Sequence, residues 1–94
     1  MSMAEMTLTV GQPGGLHLRA AAELVQTAAQ FNCRVWMQNL SRPGAVEFDA
    51  KSLFSILQSG VTQGQQLRLR AEGSDAEVAL AALRAVIEQT SEDE

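Results

Sequence analysis

His17 and Arg19 are the residues of this sequence best suited to phosphoryl chemistry. His17 is the only histidine; it follows Gly14 and Gly15 and stands at the predicted N-cap of a helix. The first N–H groups of a helix have no intrahelical acceptor, and the macrodipole adds positive charge, so an anion is favoured there. Arg19 adds a guanidinium fork that fits phosphate oxygens. The spacing indicates a nucleophilic imidazole beside donors for a phosphoryl group.

Other chemistries find less support in the sequence. A plain helix cap remains an alternative for His17, and no Ser/His/Asp set, carboxylate pair or phosphate-cradling loop is visible. Glu47, Asp49 and Glu72 are expected to be solvated strand positions. One histidine and one cysteine, Cys33, cannot form a structural zinc site or an internal disulfide. We therefore expect neither a metal nor a cofactor.

The elements that must position His17 follow from hydrophobic periodicity. Period-two alternation predicts strands, and apolar residues three and four apart predict helices. The strands are predicted at 6–10, 33–38, 46–49 and 67–72, and the helices at 18–30, 52–58 and 76–87. Ser74 to Glu77 has the pattern of a capping box for the last helix.

This order, βαββαβα, predicts an α+β fold. Because each strand has one polar and one apolar face, we expect a four-stranded antiparallel sheet with three helices on one face. The fourth strand is expected to lie between the first and the second. Residues 1–94 are predicted to form a single domain, with frayed ends at 1–5 and 90–94.

Composition narrows the function further. The chain has 94 residues and a formal charge of -4, from 11 acidic and 7 basic residues, which argues against nucleic-acid binding. No apolar run approaches the roughly 20 residues of a membrane span, and the first residues do not resemble a signal peptide. We expect a cytoplasmic protein.

Three segments resemble the HPr family, the histidine-containing phosphocarriers of the bacterial sugar phosphotransferase system. Gly-Leu-His-Leu-Arg-Ala-Ala-Ala at 15–22 is similar to the family signature Gly-Leu-His-x-Arg-Pro-Ala. Ala-Lys-Ser-Leu-Phe at 50–54 resembles its regulatory-serine region, and Gly-Val-Thr-Gln-Gly at 60–64 resembles the loop before its last strand. The segments occur in the family's order and spacing. The resemblance implies an open-faced β-sandwich and covers nearly the whole chain.

The resemblance also implies a role for each matched residue. His17 would accept a phosphoryl group on Nδ1 from phosphorylated enzyme I and pass it to a histidine of a sugar-specific enzyme II A-type domain. Arg19 would hold the phosphate. Apart from the resemblance, the helix start itself leads us to expect that the backbone N–H groups of Leu18 and Ala20 also bind it. A carrier with no turnover of its own is implied. The sequence does not mark the oligomeric state, and we expect a monomer because such a carrier must present one face to successive partners.

Two further features of the family concern partners. Ser52 matches a serine that a dedicated ATP-dependent kinase, HPr kinase/phosphorylase, modifies in many bacteria; a plain N-cap without regulation is the alternative. Leu18, Leu53, Phe54 and Leu57 match an apolar docking patch; the alternative is that half of them belong to the core. We expect Phe54 to be at least partly exposed and Ile56 to be buried.

The sequence departs from the family pattern at three positions beside the histidine. Ala20 replaces the usual proline and restores an N–H, so we expect phosphoacceptance to stay intact and anion binding to be slightly stronger. Leu18 replaces a small hydroxyl residue, and Gly14 stands where some members carry an amide. These departures put the transfer rate in doubt.

Two alternatives to the carrier stay open. One is an HPr-like regulatory module, in which phosphorylation at His17 or Ser52 controls binding to a transcription factor or an enzyme. The other is a small α+β domain without phosphoryl chemistry. The pairing of His17 with Arg19 favours the carrier, because a pure binding module has no need for an imidazole beside an anion site.

Overall fold

The architecture is that of a four-stranded sheet covered by helices. A computed structural model describes residues 2–89. Within this range the chain order is βαββαβα, as the periodicity predicts. The elements are β1 (Met3–Thr9), α1 (Leu18–Ala28), β2 (Cys33–Asn39), β3 (Phe48–Asp49), α2 (Leu53–Gln58), β4 (Gln66–Gly73) and α3 (Ala76–Ile87).

The sheet has the strand order β1-β4-β2-β3, and every neighbouring pair is antiparallel. The last strand therefore lies between the first and second, which confirms the predicted topology. β1 and β2 both run antiparallel to β4, so the α1 crossover joins two parallel strands. This arrangement brings the start of α1 to the edge where β1 ends.

The core lies between one face of the sheet and the three helices. Alternate strand residues such as Val35, Met37 and Leu69 point into it and are buried. The helices contribute large apolar side chains, among them Leu24 from α1 and the fully buried Ile56 from α2. The prediction that Ile56 is buried is confirmed. Within residues 2–89, no helix combines the length and apolar content that a bilayer span requires.

The opposite face of the sheet is polar and carries the single tryptophan. The Cζ of Arg70 lies 4.0 Å from the Trp36 ring centroid and that of Arg34 lies 5.0 Å from it. Arg70 also donates two hydrogen bonds of 2.9 Å to the Glu47 carboxylate. These hydrogen bonds hold the pKa of Glu47 below its ordinary value. Glu47 is thus half-buried in an ion pair, and it lies just before β3 instead of on the predicted strand.

All four strands differ from their predicted bounds, by one residue in β2 and β4 and by more at the starts of β1 and β3. β1 begins at Met3, so residues 3–5 pair with residues 70–72 of β4 instead of fraying. The partly buried Ala4 extends the inward row, but its small side chain gives a weak signal. β3 is shortened to Phe48–Asp49, because Val46 lies in the exposed connection before it. The predictions for residues 1 and 90–94 fall outside the described range.

The predicted capping box of α3 is also wrong. The N-cap is Asp75, and its side chain makes no cap hydrogen bond. Its Oδ2 instead accepts the Asn32 N–H at 2.8 Å, and Ser74 Oγ accepts from Asn32 Nδ2 at 2.9 Å. Both side chains are engaged in fastening the α1–β2 connection, a long-range contact that a local motif cannot reveal.

Candidate functional site

His17 is the N-cap of α1. Its backbone is extended, with φ −70° and ψ 179°, and its carbonyl accepts the first helical hydrogen bond from Ala21 at 2.8 Å. Its Nδ1 accepts a hydrogen bond from the Ala20 N–H, with an N···N distance of 3.3 Å. The ring is half-buried. It is therefore open to another molecule on one side while its Nδ1 faces the helix start.

This hydrogen bond determines which ring nitrogen can act as a nucleophile. A nitrogen that accepts from an N–H must present a lone pair, so the proton of the neutral ring lies on Nε2. The first turn of α1 contains no acidic residue, so nothing there opposes an anion. The arrangement can therefore place an unprotonated Nδ1 beside the positive end of the helix dipole.

Arg19 lies in the same turn as the imidazole. Its side chain is exposed and lines a shallow depression with Gln12, Glu23 and Gln89, among others. No carboxylate within residues 2–89 approaches its guanidinium to 4.0 Å. The long side chain is thus available to turn toward an anion at the helix start. Leu18, between the two, is 63% exposed.

The loop before His17 is fixed by the close approach of Gly15 to the chain at Val61 and Thr62. Gly15 has a φ of +72°, and a Cβ there would lie 2.6 Å from Thr62 Cα and still closer to the Val61 carbonyl oxygen. The neighbouring Leu16 is buried and donates its N–H to that same oxygen at 3.1 Å. Only glycine fits, so this contact sets the position of His17.

Gln12 is a residue of the site that sequence reasoning missed. Its side chain is buried, and its Nε2 donates to the Val86 carbonyl at 2.8 Å. The adjacent Gly11 N–H donates to the Ile87 carbonyl at 2.9 Å. The loop is therefore tied to the last turn of α3. A single glutamine beside a proline carries no periodic signal that could have indicated this role.

The start of α2 carries the other predicted residues. Ser52 is the N-cap, and its Oγ accepts the Ser55 N–H at 3.2 Å. Leu53, Phe54 and Leu57 are all exposed, Phe54 by 70%, which confirms its predicted exposure. Next to them, Lys51 Nζ donates to the Cys33 carbonyl at 2.7 Å and ties this turn to β2.

Other reactive groups lie outside this arrangement. Cys33 is buried, and desolvation raises the pKa of its thiol, so a reactive thiolate is disfavoured. Among residues 2–89, no three His, Cys, Asp or Glu side chains are grouped so that they could hold a metal ion.

Comparison with known proteins identifies relatives of the chain. A family model described as the PTS HPr component phosphorylation site matches residues 4–89. A multiphosphoryl transfer protein of Haemophilus influenzae is 46% identical over 77 residues, which are 82% of this chain and 15% of that protein. The phosphocarrier protein HPr of Xylella fastidiosa is 36% identical over 86 residues, 92% of each chain.

The fold agrees with these sequence matches. A crystal structure of a phosphocarrier protein HPr from Bacillus anthracis matches with a TM-score of 0.83 and 31% identity, over 93% of this chain and 99% of that one. The multiphosphoryl transfer proteins are much longer: the chain spans 15%, 10% and 20% of three of them.

The close packing of Gly15 can be separated from its backbone strain. Gly64 also has a positive φ, +90°, but a Cβ there would meet nothing within 4 Å. We expect Gly64→Ala to lower the free energy of unfolding by about 1–2 kcal/mol through strain alone. Gly15→Ala should cost about 1–3 kcal/mol more, because overpacking adds to the strain. Urea unfolding of both variants measures the difference; equal losses would contradict the proposed constraint.

Proposed function

Because the chain belongs to the HPr family of the phosphotransferase system, we propose that it carries a phosphoryl group between two proteins. It accepts the group on His17 Nδ1 from the phosphohistidine of enzyme I and passes it to a histidine of an enzyme II A-type domain. One observation carries this proposal: Nδ1 of a half-exposed histidine faces the amide of Ala20 at a helix start.

The transfer balances without movement of a proton in the carrier. The Nδ1 lone pair forms a bond to phosphorus as the bond between phosphorus and the donor's nitrogen breaks, and its electron pair returns to that nitrogen. Nε2 keeps its proton, so the ring gains a positive charge beside the negative phosphoryl group. Onward transfer runs the same step in reverse toward the acceptor's histidine.

Charge and position supply the catalysis in this proposal. Phosphoryl transfer depends mainly on alignment and on stabilising the charge of the phosphoryl oxygens. The amides of Leu18 and Ala20 belong to the first turn, and Arg19 can add a bidentate contact. A surface helix end stabilises an anion by only about 0.3–1 kcal/mol, which leaves the group free to move on.

Partner docking is assigned to an apolar patch, which we define as Leu18, Leu53, Phe54 and Leu57. All four side chains are exposed, and α1 and α2 pack against each other. An acceptor histidine must approach His17 closely, and Leu18 is its neighbour in the chain. A partner that reaches Nδ1 therefore covers apolar surface, which favours association.

Ser52 is a second phosphorylation site in this proposal, modified by a Ser kinase where the cell has one. Its hydroxyl caps α2 directly before Leu53 and Phe54 of the apolar patch. A phosphate there would place negative charge at the edge of the docking surface. The consequence would be weaker docking of a partner with an acidic rim.

Phosphorylation of the histidine is directly measurable. After incubation with phosphoenolpyruvate and enzyme I, intact mass should show one acid-labile phosphoryl group. Both His17→Ala and His17→Asn should lack it. His17→Asn is the matched control, because asparagine is a good N-cap and avoids the loss of about 0.5–2 kcal/mol that alanine causes.

The same experiment distinguishes the alternatives. Onward transfer of the group to an A-type domain supports the carrier. A labelled protein that transfers to no A-type domain would instead be a regulatory module. A chain that gains no phosphoryl group at His17 refutes both.

Arg19→Ala should slow phosphoryl transfer by about tenfold or more, because a charge-assisted contact to the phosphoryl oxygens is lost. The melting temperature should stay close to that of the unchanged protein, since the side chain is exposed. Arg84→Ala removes an exposed arginine on α3 that pairs with Glu88 and serves as the control. Arg19 would be structural if its variant unfolded under mild conditions.

Ser52→Asp should lower the rate of phosphoryl acceptance at His17 by about two- to fivefold. The reason is that repulsion between the added carboxylate and the acidic rim of the partner, about 0.3–1 kcal/mol, opposes docking. Aspartate is itself a good N-cap, so α2 should remain folded. Gln58→Glu adds the same charge at an exposed position of the same helix and should change the rate little. Stopped-flow or quench measurements with enzyme I test this, and equal effects of both substitutions would rule out a specific role for Ser52.

A further inference from the structure

The backbone N–H of Ala20 is held rigidly against the reacting nitrogen of His17. It is the third N–H of α1, a group that has no intrahelical acceptor. It donates to Nδ1 at 3.3 Å, whereas the next N–H, that of Ala21, donates to the His17 carbonyl at 2.8 Å. The side chains of Ala20 and Ala21 are buried in the core. The donor therefore cannot move away from the imidazole without unpacking α1.

We propose that the Ala20 N–H serves two acceptors in turn: Nδ1 before transfer and a phosphoryl oxygen after it. The inference rests on the proposed function and assigns a positioning role to a backbone group of this particular chain. A proline at this position, as the family usually has, would carry no such donor.

Before transfer, the hydrogen bond selects the reactive form of the ring. Donation to Nδ1 stabilises the tautomer with its proton on Nε2 and its lone pair on Nδ1. A distance of 3.3 Å is long for a hydrogen bond. The contact is therefore weak enough for a small ring rotation to release the lone pair toward phosphorus.

After transfer, Nδ1 can no longer accept, because its lone pair forms the bond to phosphorus. The phosphoryl oxygens lie two bonds from Nδ1, through phosphorus, and they carry negative charge. A hydrogen bond to a charged oxygen is shorter and about twice as strong as one between neutral groups. The Ala20 N–H thus gains a better acceptor when the group arrives, and the phosphorylated form is stabilised relative to the free form.

Three variants isolate this donor. Ala20→Pro removes the N–H and is tolerated in the first turn of a helix. Replacement of Ala20 by lactic acid, introduced by chemical ligation, turns the amide into an ester and removes the N–H without adding a ring. Ala20→Gly keeps the N–H and removes only the methyl group, so it controls for lost packing.

The tautomer of His17 gives a readout that requires no partner protein. In ¹⁵N NMR spectra of the unphosphorylated chain, we expect Nδ1 to be the unprotonated nitrogen in the unchanged protein and in Ala20→Gly. The Nδ1–H tautomer should become more populated in the proline and ester variants. An unchanged tautomer ratio in both would overturn the first half of the inference.

Competition for one phosphoryl group gives the second readout. The unchanged chain and Ala20→Pro are mixed with catalytic enzyme I and a limiting amount of phosphoenolpyruvate, and intact mass measures the phosphorylated share of each. We expect the group to favour the unchanged chain by about three- to tenfold. The ester variant should behave like Ala20→Pro, and Ala20→Gly should compete equally. An even distribution, or one that favours Ala20→Pro, would overturn the inference.

Failure of the proposed function would look different. If enzyme I labels none of these proteins, the carrier proposal fails, and phosphoramidate is used to phosphorylate His17 chemically. The Ala20 amide proton resonance should then move downfield on phosphorylation, as expected for a bond to a charged oxygen. No such shift in the phosphorylated chain would contradict the inference by itself.

Discussion

Unpaired amides at the start of α1 are the constraint on which the site depends. Every helix begins with N–H groups that its own carbonyls cannot satisfy. In this protein the N-cap that serves one of them is a histidine, and the contact is made through Nδ1. One hydrogen bond thus caps the helix, orients the ring and fixes its tautomer. In the proposed transfer, the same atom would couple the stability of α1 to the readiness of the ring to accept a phosphoryl group.

The orientation of that histidine is set by distant parts of the chain. The preceding loop packs its Gly15 onto Val61 and Thr62, and Gln12 hydrogen-bonds to Val86 at the end of α3. These partners lie far from the loop in sequence but adjacent to it in the fold. The loop is therefore held on one side by the close contact of Gly15 and on the other by the hydrogen bond of Gln12. Local sequence around His17 provides the chemistry, and long-range contacts provide its geometry.

This division explains what could be predicted from the sequence. Alternation in β2 and β4 and the apolar stripe of α3 depend on burial against one face, so the elements and their layers followed from periodicity. The place of β4 between β1 and β2 followed from the helical connection that makes those two strands parallel. The N-caps at His17 and Ser52 are local and were also predicted. The capping box at 74–77 failed because Asn32, remote in sequence, engages Ser74 and Asp75. Gln12 and the Glu47–Arg70 pair were missed for the same reason: their partners lie on other elements.

The two faces of the sheet differ in a way that suggests which side such a carrier would present to its partners. On the open face, Arg70 is paired with Glu47, and Arg68 lies within 3.8 Å of both Glu47 and Glu5, so the two arginine charges are largely compensated within the protein. The helical side instead offers the apolar patch, beside first turns of α1 and α2 that contain no acidic residue.

A carrier must bind its donor before it gains a phosphoryl group and its acceptor afterwards. Burial of apolar area contributes about equally in both states, whereas ion pairs would change with the charge of the phosphoryl group. An apolar surface beside a histidine therefore permits successive partners to be bound with similar strength, and it leaves the helix start and Arg19 to respond to the phosphate alone.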